Sequence, residues 1–446
     1  MMGVQPIRLT NFCVKGLFGE FNHSIPFNAD ERITALIGPN GLGKTACLKL
    51  INALFRRQWS VFAATEFEEV EFKFSDGSRV IANHRTTSDA DTEVSDAIGV
   101  VFTTFDTDGV SDPWAPRPNE EAPSRLRLDG FVPFLTRTGS KIWTHDLTRQ
   151  SYTFQEVIEN YGEHIPESLI KSFNMQPNQA LAKIIGQIDC HLIETQRLLV
   201  FQPEEGRRTG GGSSLAISRK AQTLKSIIAR ELAVYASTSQ SLDRSFPKRV
   251  VQQGPMILSE DLSERLEQLD ALRRGLTEAG ILDQEADDSL PHVTEFSPAI
   301  AAVLSVYVGD TRKKLDVLAK LRERILLFIE LIDNRFYPKS VVVNKSVGFS
   351  VIRNDVVEVP LEKLSSGEQH QLVLFFELLF ELKENALILI DEPELSLHVA
   401  WQKKFIPDLL RIIDLNRFDV LLATHSPQLI GAWENVVVEL GDVDPQ

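Results

Sequence analysis

The sequence of 446 residues contains few cysteines and no long apolar segment. Cys13, Cys47 and Cys190 are scattered among apolar residues without the spacing of metal ligands, so we expect reduced core residues. The chain has no run of about eighteen apolar residues, and its amino terminus lacks the basic-then-apolar order of a secretory signal. We therefore expect a cytoplasmic protein that does not associate with a membrane.

Basic residues are in the minority. The chain has 47 Lys and Arg against 62 Asp and Glu, which gives a formal net charge of −15. A surface of this charge does not attract nucleic acid uniformly and leaves room only for a local basic groove. The hydrophobic content of 43% is typical of a globular protein, and the length suffices for two or three domains.

Residues 33–55 contain the clearest chemical motif. Residues 33–37 form an apolar run that predicts a buried strand, residues 38–45 read Gly-Pro-Asn-Gly-Leu-Gly-Lys-Thr, and an amphipathic helical pattern follows. The glycines let successive N–H groups converge on one anion, and the start of the helix adds its dipole. Lys44 would reach the β and γ phosphates, and the Thr45 hydroxyl would ligate magnesium. This order predicts a phosphate-binding loop.

The middle of the chain predicts strands first and helices later. Alternating patterns predict strands or hairpins at residues 4–30, 66–85 and 190–202. An Asp-, Pro- and Gly-rich segment predicts a surface loop at 106–123, and a glycine-rich tract predicts a flexible loop at 204–214. Helical periods occur at 154–188, irregularly, and at 217–236, 259–280 and 298–337. The last two read as long polar helices that form a projecting hairpin.

A second group of motifs lies in the last quarter of the chain. Residues 364–369 read Leu-Ser-Ser-Gly-Glu-Gln, where Ser365 and Glu368 have capping-box spacing at a helix start that favours an anion. Residues 387–390 then predict a buried strand, with Asp391 and Glu392 at its carboxyl end, where parallel α/β sheets bind ligands. Asp391 fits magnesium held through water, and Glu392 fits the role of orienting or deprotonating the attacking water.

A third predicted strand, at residues 420–424, ends at His425. His425 either contacts a γ-phosphate from this strand end or has a structural role. Two arginines in the 204–214 tract, Arg207 and Arg208, either lie in a plain flexible loop or touch a phosphate or an acidic partner.

Together, residues 38–45, 364–369, 389–392 and 423–427 resemble the Walker A, signature, Walker B and switch-histidine motifs of the ABC-type ATPases. The resemblance implies an α/β, ABC-type P-loop nucleotide-binding domain with an antiparallel β subdomain and a helical, arm-like insertion. It implies ATP and Mg²⁺ as cofactors and slow ATP hydrolysis, with Glu392, Lys44 and His425 as catalytic residues. The implied nucleotide contacts are Gly38, Pro39, Asn40, Gly41, Leu42, Gly43, Lys44, Thr45, Ala46, Ser365 and Gly367.

The resemblance implies that Thr45 and Asp391 belong to the magnesium shell. Gln196, which lies beside a predicted strand, is the candidate for the glutamine that completes this shell. The resemblance also implies that Ser365 and Gly367 contact the γ-phosphate of ATP bound to a second subunit. ATP would then hold a head-to-tail homodimer together, and a higher homo-oligomer stays open. Residues 396–398, Ser-Leu-His, replace the Asp that many relatives use across the dimer, which leaves that contact open.

The long segment between the two halves resembles the SMC, RecF and OLD branch, in which a helical arm interrupts the nucleotide-binding fold. We predict an amino-terminal ATPase part at 1–254, a helical hairpin insertion at 255–340 and a carboxy-terminal ATPase part at 341–446. Within this branch, residues 364–370, 391–398 and 423–428 resemble the ATPase subunits of bacterial anti-phage systems of the PARIS and Septu kind.

This resemblance predicts a nucleotide-dependent sensor and scaffold in anti-phage defence. The chain ends shortly after His425, so we expect the effector, a Toprim- or HNH-nuclease-like protein, to be a separate subunit. The alternative is a DNA repair or maintenance ATPase that clamps DNA. Its groove would use basic residues that otherwise form a solvated face, namely Arg207, Arg208, Arg219, Lys220, Lys225, Arg230, Arg244, Lys248 and Arg249. A transporter motor fits least, because the insertion is long and no membrane-coupling element is visible.

Overall fold

A computed structural model describes residues 6–84, 99–107, 109–116, 132, 134–139, 142–146, 149–153, 156–157, 161, 176–194, 212–252, 259–283, 297–354, 356–396 and 399–440. Gln196, Arg207, Arg208 and residues 397–398 lie outside this part of the chain. The chain divides into two compact units, Met1–Arg208 with Lys383–Gln446, and Thr209–Leu382.

The described strands are β1 (Leu9–Leu17), β2 (Phe21–Pro26), β3 (Ile33–Ile37), β4 (Glu69–Phe74), β5 (Arg79–His84), β6 (Val100–Phe105), β7 (Ser111–Trp114), β8 (Leu135–Arg137), β9 (Ile142–His145), β10 (Ser151–Thr153), β11 (Cys190–Glu194), β12 (Lys339–Asn344), β13 (Gly348–Arg353), β14 (Val357–Val359), β15 (Leu387–Asp391), β16 (Asp419–Ala423) and β17 (Val437–Glu439). The described α-helices are α1 (Lys44–Arg56), α2 (Trp59–Ala64), α3 (Gln179–Ile185), α4 (Gly212–Gln252), α5 (Ser259–Glu278), α6 (Pro298–Phe336), α7 (Ser366–Phe376), α8 (Val399–Asn416) and α9 (Pro427–Ile430). A π-helical turn, Glu377–Glu381, follows α7, and short 3-10 turns occur at Leu361–Lys363, Pro393–Ser396 and Glu434–Val436.

The first unit contains a parallel sheet with the order β11-β15-β16-β3-β17. The predicted strands at 33–37, 387–390 and 420–424 are confirmed. Their apolar side chains are almost all buried, as is usual for parallel strands covered on both faces. Asp391 pairs with Ala423, and Ala423 pairs with Leu36, so the carboxyl ends of β15, β16 and β3 lie at the same edge.

An antiparallel sheet with the order β2-β1-β4-β5-β6-β7 forms the β subdomain of the same unit. The predicted hairpins near residues 18–21 and 66–85 are confirmed by the pairs β1–β2 and β4–β5. The loop predicted at 106–123 is wrong for residues 111–114, which pair with β6 as the edge strand β7. Pro113 is tolerated there because an edge strand needs fewer ladder donors.

Aromatic and aliphatic side chains join the two sheets of this unit through α1 and α2. Trp59 and Phe62 of α2 each lie 5.0 Å, between ring centroids, from Phe102 of β6. Cys47 and Cys190 are buried here as free thiols, as expected. Cys13 is only partly buried on β1 and faces Asn11 and Ser24, so the expectation of a core residue is wrong for Cys13.

The second unit consists of the long helices α4, α5 and α6, the sheet β12-β13-β14 and α7. The helices predicted at 259–280 and 298–337 are confirmed by α5 and α6. Helix α4 continues past the predicted end at 236, through Pro247, to Gln252. It pairs with α6 through Asp243 and Lys314, whose Oδ1 and Nζ lie 2.7 Å apart, and through Arg249 and Asp310.

The division predicted at residues 254 and 340 stays a prediction. In the second compact unit, α4 and the β12-β13-β14 sheet pack with α6. The fold class is confirmed: the chain is an α/β P-loop fold with an antiparallel β subdomain and a helical insertion. Within the described residues, no helix combines the length and apolarity needed to cross a membrane.

Candidate nucleotide-binding site

The glycine-rich loop connects β3 to α1 in the first unit. Gly43 precedes α1 with a φ of +84°, and a Cβ at this position would lie 2.5 Å from Leu17 Cδ2. Both facts require glycine. Gly43 offers no side-chain cap, and the first turn of α1 holds no acidic residue. The N–H groups at the start of α1 can therefore bind an external anion. Ala46 lies in that first turn. Buried Leu48, Ile51 and Leu54 fix the helix against the core.

Lys44 is 5% exposed, and its ammonium group donates to the carbonyl oxygens of Gly38 and Pro39 at 2.7 and 2.8 Å. Burial lowers the pKa of Lys44, while the negative charges of Glu392, Asp391 and Glu394 act in the opposite direction. The lysine is thus a buried cation held by loop carbonyls. Phosphate oxygens would supply the charge that these carbonyls lack.

Thr45 and Asp391 meet although 346 residues separate them. The Thr45 hydroxyl donates to both carboxylate oxygens of Asp391, at 3.0 and 3.1 Å. A hydroxyl and a carboxylate are hard oxygen ligands, and Mg²⁺ prefers one or two of these with water and substrate phosphates. In the described part of the chain, no group of three or more His, Cys, Asp or Glu is arranged as a metal site. The pair fits Mg²⁺ that takes its other ligands from water and phosphate.

Glu392 follows Asp391 in a left-handed backbone conformation, with a φ of +47°. Its N–H donates to the Ala423 carbonyl at 2.9 Å, which fixes this uncommon conformation against β16. Its carboxylate oxygen Oε1 lies 3.5 Å from Nε2 of His425. The backbone therefore holds the acidic side chain beside the histidine at the end of the neighbouring strand.

The ring of His425 lies between Lys44 and Glu392. Its Nδ1 is 3.2 Å from the Lys44 ammonium, and its Nε2 faces Glu392. The structure thus brings together Lys44, Thr45, Asp391, Glu392 and His425, five of the sequence-predicted site residues. Gln196 lies outside the described residues and stays a prediction.

Ser365 and Gly367 lie at the start of α7 in the second unit. The predicted capping box is present: Ser365 Oγ accepts from the Glu368 N–H at 3.4 Å, and Glu368 Oε2 accepts from the Ser365 N–H at 2.9 Å. Lys339 of β12 donates to both Glu368 oxygens at 2.8 and 2.9 Å. Burial acts to raise the pKa of Glu368, but the bonds from Lys339 and Ser365 outweigh it and lower the pKa.

The sequence patterns did not single out three residues around this site. Glu394 accepts a hydrogen bond from the His425 N–H, and Gln402 accepts one from the Ser426 hydroxyl. Phe18 is 45% exposed and its ring lies beside Gly43. The sequence could have indicated Glu394, because it is a second acidic residue shortly after Glu392. It could not have indicated Gln402, whose partner Ser426 is 24 residues away along the chain.

A strand, a glycine-rich loop and a helix that carries Lys44 and Thr45, with acids and a histidine on the adjacent strand ends, define a P-loop ATPase. The chain belongs to the AAA ATPase domain family, whose model matches residues 9–430. Membership of this family implies ATP binding.

Curated relatives match a shorter part of the chain. The zinc import ATP-binding protein ZnuC of Pseudomonas fluorescens strain Pf0-1 is 28% identical over 131 residues, which cover 29% of this chain and 48% of that protein. The ZnuC protein of strain Pf-5 gives the same identity and coverage. The chain thus spans about half the length of the curated relatives it matches.

Among solved structures, the Smc head domain of Pyrococcus furiosus, crystallised with an extended coiled coil and the C-terminal domain of ScpA, is 11% identical with a TM-score of 0.34. The alignment covers 98% of this chain and 94% of that chain. The SMC head domain of Thermotoga maritima is 12% identical with a TM-score of 0.30, and the alignment covers 95% and 92% of the two chains.

Proposed function

We propose that this protein is a slow ATP hydrolase that works as a nucleotide-dependent switch and controls a separate effector in prokaryotic anti-phage defence. The observation that supports the catalytic part is the convergence of Lys44, Thr45, Asp391, Glu392 and His425 at one edge of the parallel sheet. Each of these side chains matches one requirement of phosphoryl transfer to water.

In the proposed reaction, water attacks the γ-phosphate in line with the leaving oxygen. Lys44 leaves the carbonyls of Gly38 and Pro39 and bonds to the phosphates. Thr45 and Asp391, with Gln196 proposed as a third member, would hold Mg²⁺, which when bound would neutralise phosphate charge. Glu392 orients the water and accepts its proton, and His425 contacts the γ-phosphate.

We further propose that the active form is a head-to-tail homodimer. Ser365 and Gly367 of the partner subunit would then contact the γ-phosphate from the start of α7, where free N–H groups and the helix dipole favour an anion. ATP would hold the dimer together, and hydrolysis would release it. This difference between nucleotide states is what a sensor requires.

The defence role is supported by the resemblance of the sequences at 364–370, 391–398 and 423–428 to those of anti-phage ATPase subunits. The alternative, a DNA clamp, has less support because basic residues of α4 are engaged in ion pairs. Lys220 Nζ lies 2.8 Å from Glu377 Oε1 and 2.7 Å from Glu381 Oε2, and Arg249 pairs with Asp310. Such pairs reduce the positive charge available to a phosphate backbone.

The catalytic proposal is tested by comparing ATP turnover of the wild type with that of Glu392→Gln. Because general-base catalysis contributes roughly 10²- to 10⁴-fold, we expect a loss of that order with ATP binding retained. Glu358→Gln, an exposed change of the same type on β14, serves as the control and should turn over ATP like the wild type. Unchanged turnover in Glu392→Gln contradicts the assignment.

The biological proposal is tested by the native mass of the protein purified with ATP and Mg²⁺ after expression with its neighbouring genes. A heavy assembly that contains a second, nuclease-like subunit supports the defence scaffold. A bare dimer that retains DNA, with an affinity that falls steeply with salt, supports the clamp instead.

A further inference from the structure

Two turns at the carboxyl edge of the parallel sheet are connected by side chains. The first turn, Pro393–Ser396, follows β15, and the second, at residues 424–426, follows β16. Glu394 Oε1 accepts from the His425 N–H at 2.6 Å, and Gln402 Oε1 accepts from the Ser426 hydroxyl at 2.7 Å. We infer that Glu394 is a positioning residue for His425 in the proposed ATP hydrolysis, and that Gln402 supports the same turn.

The ring of His425 needs such an anchor. Its side chain is 30% exposed at the end of β16, so packing alone does not fix the ring. The ring nevertheless lies within 3.2 Å of Lys44 Nζ and 3.5 Å of Glu392 Oε1. The bond from its N–H to the Glu394 carboxylate restrains its peptide, because charge-assisted bonds are short and strong.

Fold stability does not explain a carboxylate at position 394. Oε2 of Glu394 is buried and has no hydrogen-bond partner among the described residues. A half-satisfied buried carboxylate reduces stability, and a glutamine could accept the same N–H without burying a charge. The carboxylate also lies within electrostatic reach of Lys44. The acidic side chain at 394 therefore serves the site.

Further hydrogen bonds hold the turn at residues 424–426, so that fixing the His425 peptide also fixes its ring. The Ser426 N–H donates to Thr424 Oγ1 at 3.0 Å, and the buried Gln402 extends its amide towards the Glu394 carbonyl at 3.5 Å. With Glu394 in place, the His425 peptide has one position, and its ring stays within reach of Lys44 and Glu392. Without it, the turn relaxes towards solvent while the loop at 38–43 that binds the phosphates is unchanged.

The kinetic test uses the full chain with Glu394→Ala, Glu394→Gln, His425→Ala and the double variant Glu394→Ala/His425→Ala. A displacement of about 1 Å at a catalytic group costs up to about 100-fold, so Glu394→Ala should lower kcat by roughly 10- to 100-fold with KM changed less than about twofold. Glu394→Gln, which keeps an acceptor oxygen but loses the charge, should recover only part of the rate. The double variant should be no slower than His425→Ala. Multiplying losses, or a wild-type kcat in Glu394→Ala, would overturn the inference.

A second measurement separates this inference from the proposed hydrolysis itself. Amide hydrogen exchange of the peptide that contains residues 423–427 should be faster in Glu394→Ala than in the wild type and intermediate in Glu394→Gln. Equal protection in all three proteins refutes the anchor, whether or not ATP is hydrolysed. Conversely, a wild type that binds but never hydrolyses ATP refutes the proposed function, while the exchange data still decide whether Glu394 holds His425.

Discussion

The ammonium group of Lys44 is buried and is held by hydrogen-bond partners that carry no negative charge. Its two carbonyl partners are neutral, and its burial favours the uncharged form, as the lowered pKa of Lys44 shows. A lysine held in this way gains a full counter-charge when phosphate arrives. The nucleotide should therefore stabilise the folded protein mainly through this residue and the N–H groups around it.

Lys44→Ala should abolish the thermal shift caused by ATP. A ligand present at about 100 times its Kd adds about 2.7 kcal/mol to the free energy of unfolding, so the wild type should melt several degrees higher with ATP and Mg²⁺. The variant should show no such gain. Lys49→Ala, an exposed change on the same helix, should keep the wild-type shift. A normal shift in Lys44→Ala would mean that ATP binds elsewhere.

The cysteines differ in reactivity for a physical reason. Burial raises the pKa of the Cys47 thiol to about 12 and raises that of Cys190 as well, so neither forms the reactive thiolate near neutral pH. Cys13 is partly exposed on β1. Alkylation of the native protein at about pH 8 should therefore label Cys13 alone. Mass spectrometry checks this, with the unfolded protein, in which all three thiols react, as the control.

At the scale of elements, the start of α7 depends on the ion pair between Lys339 and Glu368. The pair lies on the same carboxylate that accepts from Ser365, so strand β12 fixes the signature serine through one side chain. Folding lowers the pKa of Glu368, so its ionised carboxylate stabilises the folded state. This contribution to the free energy of unfolding is fully present above the ordinary glutamate pKa of about 4.3 and is lost as the pH falls through the lower folded-state pKa.

Glu368→Gln should cost about 1 kcal/mol of unfolding free energy at pH 7, the usual size of a helix cap. The difference from the wild type should shrink as the pH falls below about 4, since the wild-type carboxylate is then protonated as well. Denaturant unfolding of both proteins at a series of pH values measures this difference. A difference that does not change with pH would show that charge has no part in the cap.

Contact between α4 and β13 sets the packing of the second unit. Gly348 has a φ of +88°, and a Cβ there would lie 1.8 Å from the Ala221 carbonyl oxygen. Gly348→Ala must move the strand away from the helix and should cost more than about 2 kcal/mol, because steric overlap adds to backbone strain. Gly309→Ala, on an open face of α6, should instead stabilise by about 0.5–1 kcal/mol. Thermal melting of both variants checks the opposite signs.

At the scale of the whole molecule, the sequence predicts elements better than it predicts their partners. The strands before Gly38 and Glu392 are evident because each is a continuous apolar run next to residues of special chemistry. Strand β7 is not evident, since Asp112 and Pro113 are typical of loops and only the edge of a sheet tolerates them. The continuation of α4 through Pro247 is not predictable from the sequence either, because proline disfavours a helix interior and tertiary packing overrides that local preference.

Some residues of the candidate site are predictable from the sequence, and others are not. Lys44, Thr45, Asp391 and Glu392 are predictable because their roles depend on position relative to a strand end or a helix start. Glu394 and Gln402 act through contacts with residues far along the chain, and the geometry of those contacts exists only in the folded structure. The compact units are hidden likewise, since the contacts of α4 with α6 follow from packing and leave no boundary signal.

The proposed head-to-tail dimer predicts that two inactive variants restore activity when they are mixed. Each composite site would use Lys44 of one subunit and Ser365 of the other, so a variant in either residue loses both sites of its homodimer. Ser365→Asn keeps a helix-capping side chain but places a larger amide at the phosphate contact. Mixed in equal amounts, Ser365→Asn and Lys44→Ala should regain about a quarter of wild-type ATPase activity, since half of randomly paired dimers are mixed and each has one intact site. Activity that stays at the level of the separate variants would place the whole reaction within one subunit.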